Sequence, residues 1–99
     1  MSTSPLDDLA RCRDEIDDID LKLLKLLNDR TSVVEVIGRI KQQIHMAIYE
    51  PKREEQVFAN VLDHNTGTLP PDAVKRIFER VAKLEEVKKS PRKRKKGTR

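Results

Sequence analysis

Arg30 and Lys41 are the residues of this chain whose chemistry conflicts with their place. Apolar side chains recur at Ile16, Ile19, Leu23, Leu26, Val33, Ile37, Ile40 and Ile44. Those separations trace one face of a helix. Arg30 fills the gap between Leu26 and Val33 in register. Lys41 follows it by eleven residues, about three turns, and so projects within roughly 20° of it. Cations on an apolar face are costly unless something negative meets them. A single one can lay its stem on the apolar surface and send its head to water. Two aligned cations point instead to a pocket for a small dianion.

A third charged group is Tyr49-Glu50-Pro51-Lys52-Arg53-Glu54. Glu54 shares a helix side with Phe58 and Val61, so it faces inward. There it can accept a hydrogen bond from a hydroxyl. Equally, an acid in a first helical turn is stabilising without any ligand. Arg13 lies 17 residues before Arg30, rotated by about 100° and some 25 Å away along the axis. It cannot easily serve the pocket of its own Arg30. In an intertwined dimer it serves the partner's; otherwise it is a solvated surface arginine. His45 and His64 lack the neighbouring ligands of a metal site, so no metal is expected. Cys12 has no base positioned to make it a nucleophile.

The elements that carry these residues are helical. No proline or glycine occurs between Leu6 and Ile37, and Ser4-Pro5 with Asp7 and Asp8 suits a helix start. The pattern predicts one helix over 6–44, roughly 58 Å long. A compact chain of this size has a radius of gyration of only about 13 Å. The stripe runs the full length of the helix, which implies that another chain covers it. A loop follows over 45–50. Pro51 opens a second helix, to residue 64, with Val57, Phe58, Val61 and Leu62 on its apolar side. Asn65-Thr66-Gly67 ends it. Pro70-Pro71-Asp72 opens a third, with Val74, Ile77, Phe78, Val81 and Leu84, and Ser90-Pro91 stops it. No strand pattern appears. The expected fold is all-α: three helices, the first very long, in an intertwined homodimeric bundle.

The 99 residues suit one small domain with a thin core, since the only aromatics are Tyr49, Phe58 and Phe78. A single cysteine excludes an internal disulfide and fits a reducing compartment. With neither a signal peptide nor a membrane span in the pattern, a cytoplasmic protein is expected. Six of the positive charges fall in the last nine residues, so the +4 of the whole chain leaves −2 for the rest. Residues 1–90 therefore read as the helical domain and 91–99 as a basic, disordered tail. The tail could solubilise, contact nucleic acid nonspecifically, or meet an acidic protein. It carries no aromatic platform for bases.

The pattern Arg13-x-x-Ile16-x-x-Ile19-Asp20, Leu23-Leu24-x-Leu26-Leu27-x-x-Arg30, Val36-x-Gly38-x-x-Lys41 and Tyr49-Glu50-Pro51-x-Arg53-Glu54 resembles the all-helical class of chorismate mutase. The match covers about residues 6–89. The resemblance implies an intertwined homodimer with two sites, each built from both chains. It also implies a pericyclic rearrangement of chorismate, a dicarboxylate, to prephenate, with no cofactor, metal or general acid–base. Arg30 and the partner's Arg13 would bind the carboxylates, and Lys41 a carboxylate and the ether oxygen. Glu54, helped by Glu50, would accept from the ring hydroxyl, and Arg53 would orient the two acids. Glu50 departs mildly from the aspartate common in the family.

In the third helix the corresponding positions are Glu85 and Lys89, where the family commonly has a small polar residue and a glutamine or glutamate. Lys89 can still donate to the ether oxygen. Glu85 suits a substrate carboxylate only if turned away. Relatives of this fold occur fused to or associated with shikimate-pathway enzymes, so docking to such an enzyme is a further expectation. Nucleic acid is not an expected partner on this reading. The alternative is a dimeric helical binding module whose tail grips nucleic acid or an acidic partner. That module explains the tail and the long helix but not the cations within the stripe.

Overall fold

A computed structural model describes residues 4–89 of the chain, and the side chains of 4–85. Three helices follow one another: α1 (Pro5–Gln43), α2 (Pro51–His64) and α3 (Pro71–Lys89). The expected disordered tail, 91–99, lies outside the described residues. The chain divides into two units, one ending at Ser32 and the other starting at Val33.

The first unit is the longer part of α1. Ser4 starts it: its hydroxyl accepts from the Asp7 N–H at 3.1 Å, and its carbonyl accepts from the Asp8 N–H at 2.9 Å. Pro5 needs no donor at the first helical position, and Asp7 and Asp8 meet the positive end of the helix dipole. Asp8 also pairs with Arg11, and Lys25 with Asp29 at 3.0 Å. None of its described residues is fully buried. Ile16, Ile19, Leu23 and Leu26 are each more than half exposed, so propensity and local bonds hold this stretch within one chain.

In the second unit α1 ends at Gln43, one residue short of the expected 44. His45 adopts φ 57°, the left-handed conformation, and is the one non-glycine residue with positive φ among those described. Its N–H donates to the Gln42 carbonyl at 3.3 Å, and the Met46 N–H donates to the Lys41 carbonyl at 2.8 Å. These are the paired bonds of a Schellman ending, a place where glycine is usual. Lys41 stands in the last turn, where a cation suits the dipole.

The helices α2 and α3 pack on each other as a hairpin. Val57, Phe58 and Val61 are half-buried on α2, and Phe78, Val81 and Ala82 on α3, with Val74 at 5% exposure the one buried apolar residue described. Lys75 places its ammonium 5.9 Å from the centre of the Phe58 ring. The connection is pinned by Asn65, whose amide donates to the Leu69 carbonyl at 2.8 Å and whose side-chain oxygen accepts from the Gly67 N–H. The Pro70 carbonyl accepts from Ala73 and Val74, so α3 opens one residue after the first proline of the pair. Asp72 in its first turn bonds Arg76 at 3.0 Å.

Candidate active site

The buried hydrophilic residues of the second unit mark the site. Lys41 is 8% exposed and Glu85 6%, both as deep as the apolar centre. A lysine is left at such depth only where acceptors meet its charge. Lys41 has two: Nζ donates to the Ile48 carbonyl at 2.7 Å and to Glu50 Oε1 at 2.7 Å. The ammonium thus ties the last turn of α1 to the far end of the loop 44–50.

Glu50 is the N-cap of α2. Its backbone is extended, with φ −127° and ψ 94°, and Pro51 follows as the first helical residue. Its carboxylate makes no capping bond and goes to Lys41 instead. Glu54 lies one turn on, half-buried, with its N–H donating to the Glu50 carbonyl at 3.1 Å. Arg53 is exposed and donates to Gln56 Oε1 at 3.3 Å.

On α3 the inward positions run Val74, Phe78, Val81 and Glu85, at spacings of four, three and four. Glu85 therefore shares the buried face rather than turning to solvent. Lys89 is the last helical residue of α3; its side chain is outside the described set. In the first unit Arg30 is half-buried and Arg13 exposed. Thr31, next to Arg30, turns its hydroxyl back to the Leu27 carbonyl at 2.9 Å.

The structure thus brings Lys41 and Glu50 into contact across nine residues of chain. Sequence reasoning missed the Ile48 carbonyl as a partner of Lys41. Every residue carries a carbonyl, so no residue type announces it; only the loop conformation selects it. Cys12 is exposed, and the His64 ring lies 2.8 Å from the Asn60 carbonyl of its own helix. No group of three or more histidine, cysteine or acidic side chains among the described residues is placed to hold a metal. No helix of the described residues is long and apolar enough to cross a membrane.

Among the described residues the secondary structure is all helix, and the two buried hydrophilic side chains are a paired lysine and a glutamate. The chain belongs to the chorismate mutase type II family, whose model matches residues 12–86. It is 34% identical over 80 residues to the bifunctional chorismate mutase/prephenate dehydratase of Aquifex aeolicus, a match over 77% of this chain and 22% of that protein. It is 36% identical over 56 residues to the chorismate mutase of Methanocaldococcus jannaschii, over 57% of each. The chorismate mutase of Thermus thermophilus, form II, superposes with a TM-score of 0.81 at 28% identity, covering 83% of this chain and 93% of that one. The chain spans about a fifth of the bifunctional relatives it matches, 22% and 18% of their lengths.

Proposed function

We propose that this protein is a chorismate mutase acting as a homodimer without a metal or cofactor. The observation that carries the reading is Lys41: a buried ammonium held in place by two acceptors, in a chain of this family. The rearrangement breaks an ether carbon–oxygen bond as a carbon–carbon bond forms, so negative charge grows on the ether oxygen. A donor already fixed at that oxygen stabilises the transition state without reorganising. Holding the enolpyruvyl side chain over the ring supplies the rest, as an entropy term met on binding.

In this assignment Arg30 and the partner subunit's Arg13 take the two carboxylates, since a guanidinium fork suits them. Lys41 turns its remaining N–H to the ether oxygen, beside the adjoining carboxylate, with Lys89 as a second donor. Glu54 accepts from the ring hydroxyl, with Glu50 as the neighbouring acid and Arg53 orienting them. Glu85 forms part of the wall contributed by α3.

The dimer is supported by the α1 stripe. Its seven apolar residues from Ile16 to Ile40, and Ile44 just beyond the helix, are 42–63% exposed in a single chain. A second copy offers a matching stripe, in the isologous manner of two-fold dimers. Residues 1–90 are assigned to the mutase domain and 91–99 to an accessory tail, in a cytoplasmic protein. The relatives that join a mutase to a prephenate dehydratase support association with an enzyme that consumes prephenate.

The test is direct: mix the protein with chorismate and follow the loss of its absorbance. Turnover well above the uncatalysed rate is expected. A rate equal to that of buffer alone rejects the proposal.

A further inference from the structure

We infer that Glu50 is a positioning residue for Lys41 rather than an acceptor of the substrate hydroxyl. This inference rests on the mutase reading and narrows it. An ammonium has three N–H donors. Two of those on Lys41 are engaged, by the Ile48 carbonyl and by Glu50 Oε1, each at 2.7 Å. One N–H is left, and its direction is fixed by the other two. The buried lysine therefore presents a single aimed donor to the substrate, not a swinging charge. The pair is asymmetric: the Lys41 side chain is 10% exposed and that of Glu50 34%.

Both acceptors are themselves anchored. The Glu50 backbone is held by Pro51 on one side, and its carbonyl takes the Glu54 N–H. Ile48 sits in a seven-residue loop whose start is set by the left-handed His45 and its two end bonds. The choice of residue also argues for this role. At an N-cap, serine, threonine, aspartate and asparagine reach the first-turn N–H groups and stabilise the helix start. Glu50 occupies that position and forms no such bond. Its carboxylate is spent on the lysine. Glu54, half-buried one turn on, then remains as the acid for the ring hydroxyl.

The two roles separate with chorismate and an analogue carrying hydrogen in place of the ring hydroxyl. For a positioning residue, Glu50→Ala lowers kcat by about 10-fold or more, the scale of a misplaced group, and KM changes far less. The loss is the same on both substrates and vanishes in a Lys41→Ala background. Glu50→Gln keeps an acceptor oxygen in place and recovers most of the rate. For Glu54→Gln the loss is confined to the hydroxylated substrate. A readout independent of turnover is the nitrogen-15 spectrum of lysine-labelled full-length protein. The Lys41 ammonium should be protected from exchange with water in the parent, present in Glu50→Gln and absent in Glu50→Ala. A Glu50→Ala loss that disappears with the deoxy analogue, or an ammonium signal unchanged by Glu50→Ala, overturns the inference. If chorismate were not turned over at all, the mutase reading would fall, and the ammonium signal would still decide whether Glu50 holds Lys41.

Discussion

Removing Lys41 takes away a charge and also strips two acceptors of their donor. The Ile48 carbonyl and the Glu50 carboxylate both lose their bond to Nζ. Ile48 is 49% exposed and the Glu50 side chain 34%, so water reaches the freed acceptors and the cost lies at the low end of about 1–3 kcal/mol. Losing one preorganised donor at a developing charge costs on the order of 10²-fold or more in kcat. Lys41→Ala should therefore lower both the denaturation midpoint and turnover. Comparing urea titrations with steady-state rates separates the two effects. Arg30→Ala, at a half-buried position, should lower kcat/KM by a similar factor. Unchanged turnover in both variants would remove the site assignment. The sequence exposed these two cations because each breaks an apolar period, a local signal. It did not expose the bond from Lys41 to Ile48, nor the pairing with Glu50. Both depend on how seven loop residues fold back, and no side-chain type records that.

At the scale of the elements the helices were legible to within a residue or two, because proline and acidic residues mark each start. The end of α1 was legible to one residue, but the conformation that ends it was not, since no glycine follows the stripe; His45 takes the left-handed position instead. That conformation costs an L-residue roughly 1–2 kcal/mol, and glycine there gives back about half in chain entropy. His45→Gly should thus raise stability by up to about 1 kcal/mol, read from the urea midpoint. A lower midpoint would mean that the imidazole contributes more than the strain. The start of α3 offers a second check. The hydrogen bond and charge of Arg76 hold the Asp72 carboxyl below its ordinary 3.8. A lowered carboxyl pKa contributes stability above the ordinary value, and the contribution fades as pH falls through the lowered one. In an NMR titration the Asp72 carboxyl should protonate below 3.8, and Arg76→Ala should move it upward. Since this pair is fully exposed, the thermal midpoint near neutral pH should hardly respond.

For the whole molecule the governing fact is how little apolar surface one chain buries. Val74 alone is buried among the described apolar residues, while the α1 stripe stands open. If a second copy covers that stripe, as proposed, the melting temperature should rise with protein concentration. If the two copies also share their sites, complementation follows. Arg13→Ala and Arg30→Ala should each be nearly inactive alone. Mixed in denaturant and refolded together, they form hybrid dimers. Within a hybrid, one site combines the intact Arg30 of one chain with the intact Arg13 of the other, and the second site loses both. Random pairing makes half the dimers hybrids, so about a quarter of parental activity should return if the two-fold symmetry places the sites this way. A site confined to one chain cannot be repaired by mixing, because every chain still carries its own lesion. Recovery near a quarter assigns Arg13 to the partner's pocket; none rules that sharing out.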